Sequence, residues 1–144
     1  ADPRPPRPDR ARALAAWEQT PQGCLALLIL LAQYPRNAFR GPARMYATDP
    51  MALTIARRAV PMIPKVPANL RVFMILLFAH SEDLADQETS VSLHHRHARN
   101  HLEEAGGHRD IILRFGQFPH RNAILKRPTS PAAAAYLRSG GFRG

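Results

Sequence analysis

Apolar positions along this chain fall into runs with helical spacing, and prolines and glycines punctuate them. Asp9 is placed to cap a first helix through Trp17, in a stretch rich in Ala, Leu and Arg. Thr20 and Pro21 read as the N-cap and first residue of a second helix. That helix carries Leu25, Leu27, Leu28, Ile29, Leu30 and Leu31 and is apolar on nearly every face, as a helix in mid-core is. Pro35 is expected to stop it, because the residue before a proline is pushed out of the helical region. Thr48-Asp49-Pro50 repeats the start signal for a third helix over about 50–59. Pro61, Pro64 and Pro67 then forbid regular helix and mark a connector.

A fourth, strongly apolar segment over about 68–79 has the length of a helix rather than a buried strand. Ser81 is expected to cap the next helix, with Glu82 and Asp83 in a first turn whose dipole favours carboxylates. That helix should reach about 99, and Gly106-Gly107 reads as a break. A helix over 108–117 follows, with the stripe Ile111, Ile112 and Phe115, and Pro119 ends it. Ser130-Pro131 opens a last short helix through Leu137, and Gly140-Gly141 stop it. No segment alternates with a period of two between turns, so no sheet is expected. The prediction is an all-α fold of about seven helices, one domain over 9–144 behind a disordered Pro/Arg tail over 1–8.

One segment occurs twice. Gln33-Tyr34-Pro35-Arg36-Asn37-Ala38-Phe39 aligns with Gln117-Phe118-Pro119-His120-Arg121-Asn122-Ala123-Ile124, with His120 inserted. Each copy follows an apolar stretch, and each is followed by a helix start, Thr48-Asp49-Pro50 or Thr129-Ser130-Pro131. This internal pseudo-repeat suggests stacked helical pairs of the tetratricopeptide-like kind, each burying a face that its own pair cannot cover. Arg and Asn in such a turn either satisfy loose helix-end groups or line a shared pocket for a carboxylate or phosphate.

Composition narrows the partners. The single cysteine, Cys24, excludes an intramolecular disulfide and fits a reducing compartment, so a cytoplasmic location is expected. The longest uncharged apolar run, Cys24 to Ala32, is far short of the roughly 20 residues of a membrane span, and no membrane partner is expected. A net charge of +9 raises nucleic acid as a partner. The arginines are scattered, however, with no basic stripe interleaved with aromatics, which ranks that partner last.

The two copies, with Arg40-Gly41, His80-Ser81-Glu82-Asp83-Leu84-Ala85-Asp86-Gln87-Glu88 and His108-Arg109-Asp110-Ile111-Ile112, resemble a bacterial family, the domain-of-unknown-function family 924. The resemblance spans roughly 14–142 and implies an all-helical fold similar to tetratricopeptide repeats, with no established activity. The chain departs from the family's pattern in three places. Ala32 stands where an acidic residue is usual, Lys126 stands where Gly is usual, and an upstream aromatic-rich helix is absent.

Candidate chemistry gathers between the two copies. Glu82, Asp83, Asp86 and Glu88 lie within seven residues of a basic chain, and their cations should come from the Arg-Asn turns, Arg109 and Arg114. The candidate ligand-binding residues are Arg36, Asn37, Arg40, His80, Asp83, Gln87, Arg109, His120, Arg121 and Asn122. An acid–base site would draw on His80, Glu82, Asp83, His108 and Asp110. His94, His97 and His101 have a workable ligand spacing, but no zinc signature accompanies them, and they read as surface histidines. No metal and no cofactor are expected. The leading expectation is a binding or scaffold protein whose polar groove holds a peptide, a partner protein or an anionic small molecule. A small-molecule enzyme comes second and nucleic-acid binding third.

Overall fold

The computed structural model describes residues 15–38 and 49–144, with side chains described at 15–31 and 51–144. The expected Pro/Arg tail lies outside the described residues. The fold is all-α, and no strand occurs among the described residues. Helix α1 is described over 15–17. It is followed by α2 (Pro21–Ala38), α3 (Asp49–Ala59), α4 (Arg71–Ala79), α5 (Leu84–His97), α6 (Leu102–Phe115) and α7 (Pro131–Arg138).

Helix starts follow side-chain chemistry. Thr20 Oγ1 accepts from the Gly23 N–H at 2.9 Å, and Ser130 Oγ from the Ala133 N–H at 3.1 Å, as their cap positions predict. At α5 the cap is Asp83 rather than Ser81: Asp83 Oδ1 accepts from the Asp86 N–H at 3.2 Å. Ser81 stands two residues before it, where its hydroxyl accepts from the Asp83 N–H and donates to Asp86. Both are cap-forming types two residues apart, so composition alone does not rank them.

Three expected helix ends move. Helix α2 continues past Pro35 to Ala38. A proline's φ is itself helical, so it deletes one backbone bond without forbidding the conformation. Gly106-Gly107 lie inside α6, because the turns on either side hold helix-forming residues. Helix α6 ends before Pro119, at Gly116, whose φ of 71° makes the left-handed cap that a glycine adopts without strain. The duplicated segment therefore takes two courses. Its first copy lies in α2 as far as Ala38, whereas Phe118 in the second is extended and Pro119–Arg121 form a 3-10 turn. A glycine precedes only the second copy.

The proline-rich connector folds as a 3-10 helix, Val60–Lys65, that buries Ile63, and a second short 3-10 turn, Ala68–Leu70, leads into α4. Helices α2, α3 and α4 pack on one another, α5 packs on α4, and α6 packs on α5. The main core holds Cys24, Leu28, Ile55, Ile75, Phe78 and Leu93, so it joins α2 through α5. A smaller core of Ile111, Ile112 and Phe118, with Phe115, Tyr136 and Phe142 against it, holds α6 to α7 and the chain end. Cys24 is buried, and its Sγ donates to the Glu18 carbonyl at 3.4 Å. The Glu18 carboxylate in turn receives both Nε and an Nη of Arg58 on α3, at 2.9 and 3.1 Å.

Candidate functional site

The end of α4 organises the polar residues. Its last carbonyls have no helical partners and must be satisfied by other groups. Buried Gln87 supplies one set, its Nε2 donating to the Ala79 carbonyl at 2.8 Å and the Ser81 carbonyl at 2.6 Å. Arg121 supplies another, an Nη donating to the His80 carbonyl at 2.7 Å. The Arg121 guanidinium also lies 4.8 Å from the centre of the Phe118 ring and 3.9 Å from Glu82 Oε1.

Glu82 ties the 80–83 turn to the second copy of the repeat. Its carboxylate accepts the Phe118 N–H at 2.6 Å and both ends of the Arg127 guanidinium at 2.8 and 3.0 Å. Burial works to raise its pKa, but the bonds from Arg127 and Phe118 and the charges of Arg121 and Arg127 outweigh it and hold the pKa below its ordinary value. Arg127 Nε donates to buried Asn122 Oδ1 at 3.0 Å, fixing the guanidinium's plane. Beside this knot, buried Asp86 accepts from Arg57 at 2.8 Å and from the Ser81 hydroxyl at 2.7 Å.

Two cavities meet at His80. One, of about 430 Å³, lies between α3 and the 80–83 turn and is polar, with Thr54, Arg57, His80, Ser81, Glu82 and Arg121 on its walls. The other, of about 660 Å³, is walled by Leu76, Ile111, Phe115, Tyr136 and Phe142, with His80, His108, Glu104, Asp110 and Arg114 among them. The rings of His80 and His108 are 6.4 Å apart, and the Phe142 ring lies tilted 4.7 Å from His108 and edge-on 5.2 Å from His120. Burial pushes the His108 imidazole below its ordinary pKa; Glu104 opposes this, and His94 and Arg121 add to it. His108 is therefore held neutral, able to donate from one nitrogen and accept at the other.

A family model described as bacterial protein of unknown function (DUF924) matches residues 7–141. The chain belongs to this family. A solved structure of a protein of unknown function, ATU0120 from Agrobacterium tumefaciens, is similar at 45% identity and a TM-score of 0.85. The similarity covers 90% of this chain and 75% of that one. No curated protein matches. Lys126, where the resemblance implies a glycine, sits at φ 53°, the one non-glycine residue with positive φ among those described.

The expected site residues separate into groups. His80, Glu82 and Arg121 share the polar cleft, and His80, His108 and Asp110 share the apolar cavity. Asp83 is exposed and spent on its cap. Asn122 serves Arg127, and Gln87 serves the end of α4. Arg109 faces Glu88 of α5 at 3.6 Å and Asp110 at 3.7 Å. The backbone of Arg36 and Asn37 lies in α2, while their side chains, and Arg40 entirely, lie outside the described residues. Among the described residues no cluster of three or more His, Cys, Asp or Glu could hold a metal ion. Arg57, Arg127, Tyr136 and Phe142 were not singled out in the sequence. Arg57 meets Asp86 across 29 residues and Arg127 meets Glu82 across 45, and no local spacing signals such pairs.

Proposed function

We propose that this protein is a binding protein for a small amphiphilic organic anion. The apolar body would lie in the cavity between α4, α6 and α7, and the anionic end would enter the polar cleft. The observation that carries this reading is His80, which walls both spaces. Two adjoining spaces of about 660 and 430 Å³ suit a small molecule better than a peptide or a partner protein. Two guanidiniums, those of Arg57 and Arg121, line the cleft against the one carboxylate of Glu82, an excess that favours an anion.

The acid–base reading has less support. The arginines hold the Glu82 pKa below its ordinary value, so Glu82 is not set up to give up a proton near neutral pH, while Asp83 is spent on its helix cap and the Asp110 side chain is 70% exposed. The run of consecutive, closely connected helices α4, α5 and α6 agrees with a tetratricopeptide-like array built to hold a ligand. Among the described residues no helix is long and apolar enough to cross a membrane, and the lone buried thiol supports a cytoplasmic site of action.

Calorimetric titration with decanoate tests the proposal. Gly107 lines the apolar cavity, and a Cβ built there meets nothing within 4 Å, so the position admits a side chain and Gly107→Trp is chosen to occupy the space. Gly106 has the same open surroundings but does not line the cavity, so Gly106→Trp is the control. The expected result is at least a tenfold weaker decanoate affinity for Gly107→Trp only, about 1.4 kcal/mol. Equal binding by wild type and Gly107→Trp would sink the idea.

A further inference from the structure

Of the carboxylates with described side chains, Glu18, Glu82, Asp86, Glu88 and Asp110 lie in ion pairs with arginines, and Glu104 faces the His101 ring at 3.7 Å. Asp83 caps α5, and Glu103 sits in the first turn of α6. Among the described residues eight cations have no carboxylate partner: Arg114, Lys126, Arg138 and Arg143 around α6 and α7, and Lys65, Arg71, Arg96 and Arg99 where the start of α4 meets the end of α5.

The fold brings the last four together from separate stretches of sequence. Lys65 closes the first 3-10 helix. Arg71 opens α4 and is held beside Lys65, since its guanidinium donates to the Pro64 carbonyl at 3.0 Å and the Val66 carbonyl at 2.9 Å. Arg96 is in the last turn of α5, where cations complement the helix dipole. Arg99 follows it, with Nε donating to the His95 carbonyl at 2.9 Å. His97 links the groups: burial lowers its pKa most, and the charges of Arg71 and Arg96 lower it further.

We propose that this end of the molecule binds the phosphate backbone of nucleic acid, without base recognition. The chemistry of the patch separates this partner from others. The exposed large apolar residues are Trp17, Leu30, Met51, Leu84 and Leu113, and none lies in the patch. A protein partner of comparable size would call for aromatic or aliphatic anchors, and a membrane surface for apolar side chains to insert. A patch of charge alone suits a regular polyanion, and guanidiniums grip phosphate oxygens in pairs. The patch also stands clear of the ligand cavity: Arg71 and His80 mark opposite ends of α4, about 14 Å apart at the helical rise.

The test is fluorescence anisotropy of the full chain with a labelled 20-base-pair duplex, over a series of NaCl concentrations. Four phosphate contacts predict that affinity falls about a hundredfold between 50 and 200 mM salt. The triple variant K65Q/R96Q/R99Q should weaken binding at least tenfold at 100 mM salt and flatten the log–log salt slope by about 3. The variant K126Q/R138Q/R143Q removes the same charge elsewhere and should leave both quantities unchanged. Arg71 is left in place because it holds the connector. Equal losses in the two triple variants would show that only net charge matters and overturn the proposal. So would absence of duplex binding at 50 mM salt, or displacement of the duplex by poly-glutamate at lower charge concentration than by unlabelled DNA.

Discussion

Lys126 shows how a single residue can carry a strain that neighbours tolerate. Its φ of 53° places a Cβ in the left-handed region, which costs an L residue about 1–2 kcal/mol. Part of that returns in the more restricted unfolded chain, so Lys126→Gly should raise stability by about 0.5–1 kcal/mol, read from a urea melt. A lower midpoint would mean that the exposed lysine makes a compensating interaction. At this scale the sequence was legible wherever a side chain acts on its own backbone. Ser130 and Thr20 cap as their positions announce. It was not legible where one residue serves a distant one. Asn122 reads as a turn residue or a pocket lining, yet its side-chain Oδ1 holds Arg127, which in turn holds Glu82.

Among the elements, α6 departs most from its expected form. Two adjacent glycines read as a break, but the helix runs through them from Leu102 to Phe115. Each glycine costs a helix interior about 1 kcal/mol relative to alanine, and nothing within 4 Å of either position would resist a methyl group. Gly106→Ala should therefore raise the midpoint of thermal unfolding by a few degrees, measured by circular dichroism at 222 nm. An unchanged or lower midpoint would show that the helix is held wholly by its packing. The apolar run of α4 and the start of α7 were legible because periodicity and capping are local. The passage of α2 beyond Pro35 was not, since helix and stop signals compete there and the balance is set along the whole helix.

For the molecule as a whole, pH acts through two separate sets of groups. Burial pushes His94 and His108 below their ordinary pKa, so in the window just under about 6.5 the unfolded chain binds more protons than the folded one. Their contribution is complete above that value and is lost as pH falls through it. Glu82, also lowered, contributes fully above about 4.3 and its contribution fades as pH drops further. Thermal midpoints at pH 7.5, 5.5 and 3.5 should fall in two stages, and His108→Phe should shrink only the first. A single drop confined to the carboxylate range would contradict the histidine assignment. The all-α class was legible from the lengths of the apolar runs, whereas the meeting of cleft and cavity at His80 depends on contacts across three helices. The junction of α1 and α2, finally, supplies the protein with its own clock. Cys24 is the chain's one thiol, and it is buried behind the Glu18 carbonyl, whose residue is clasped by Arg58. A thiol reagent can reach it only when that junction opens, so the rate of modification counts openings without any added probe. Arg58→Gln should quicken the reaction at constant global stability, and an unaltered rate would place the gate elsewhere in the fold.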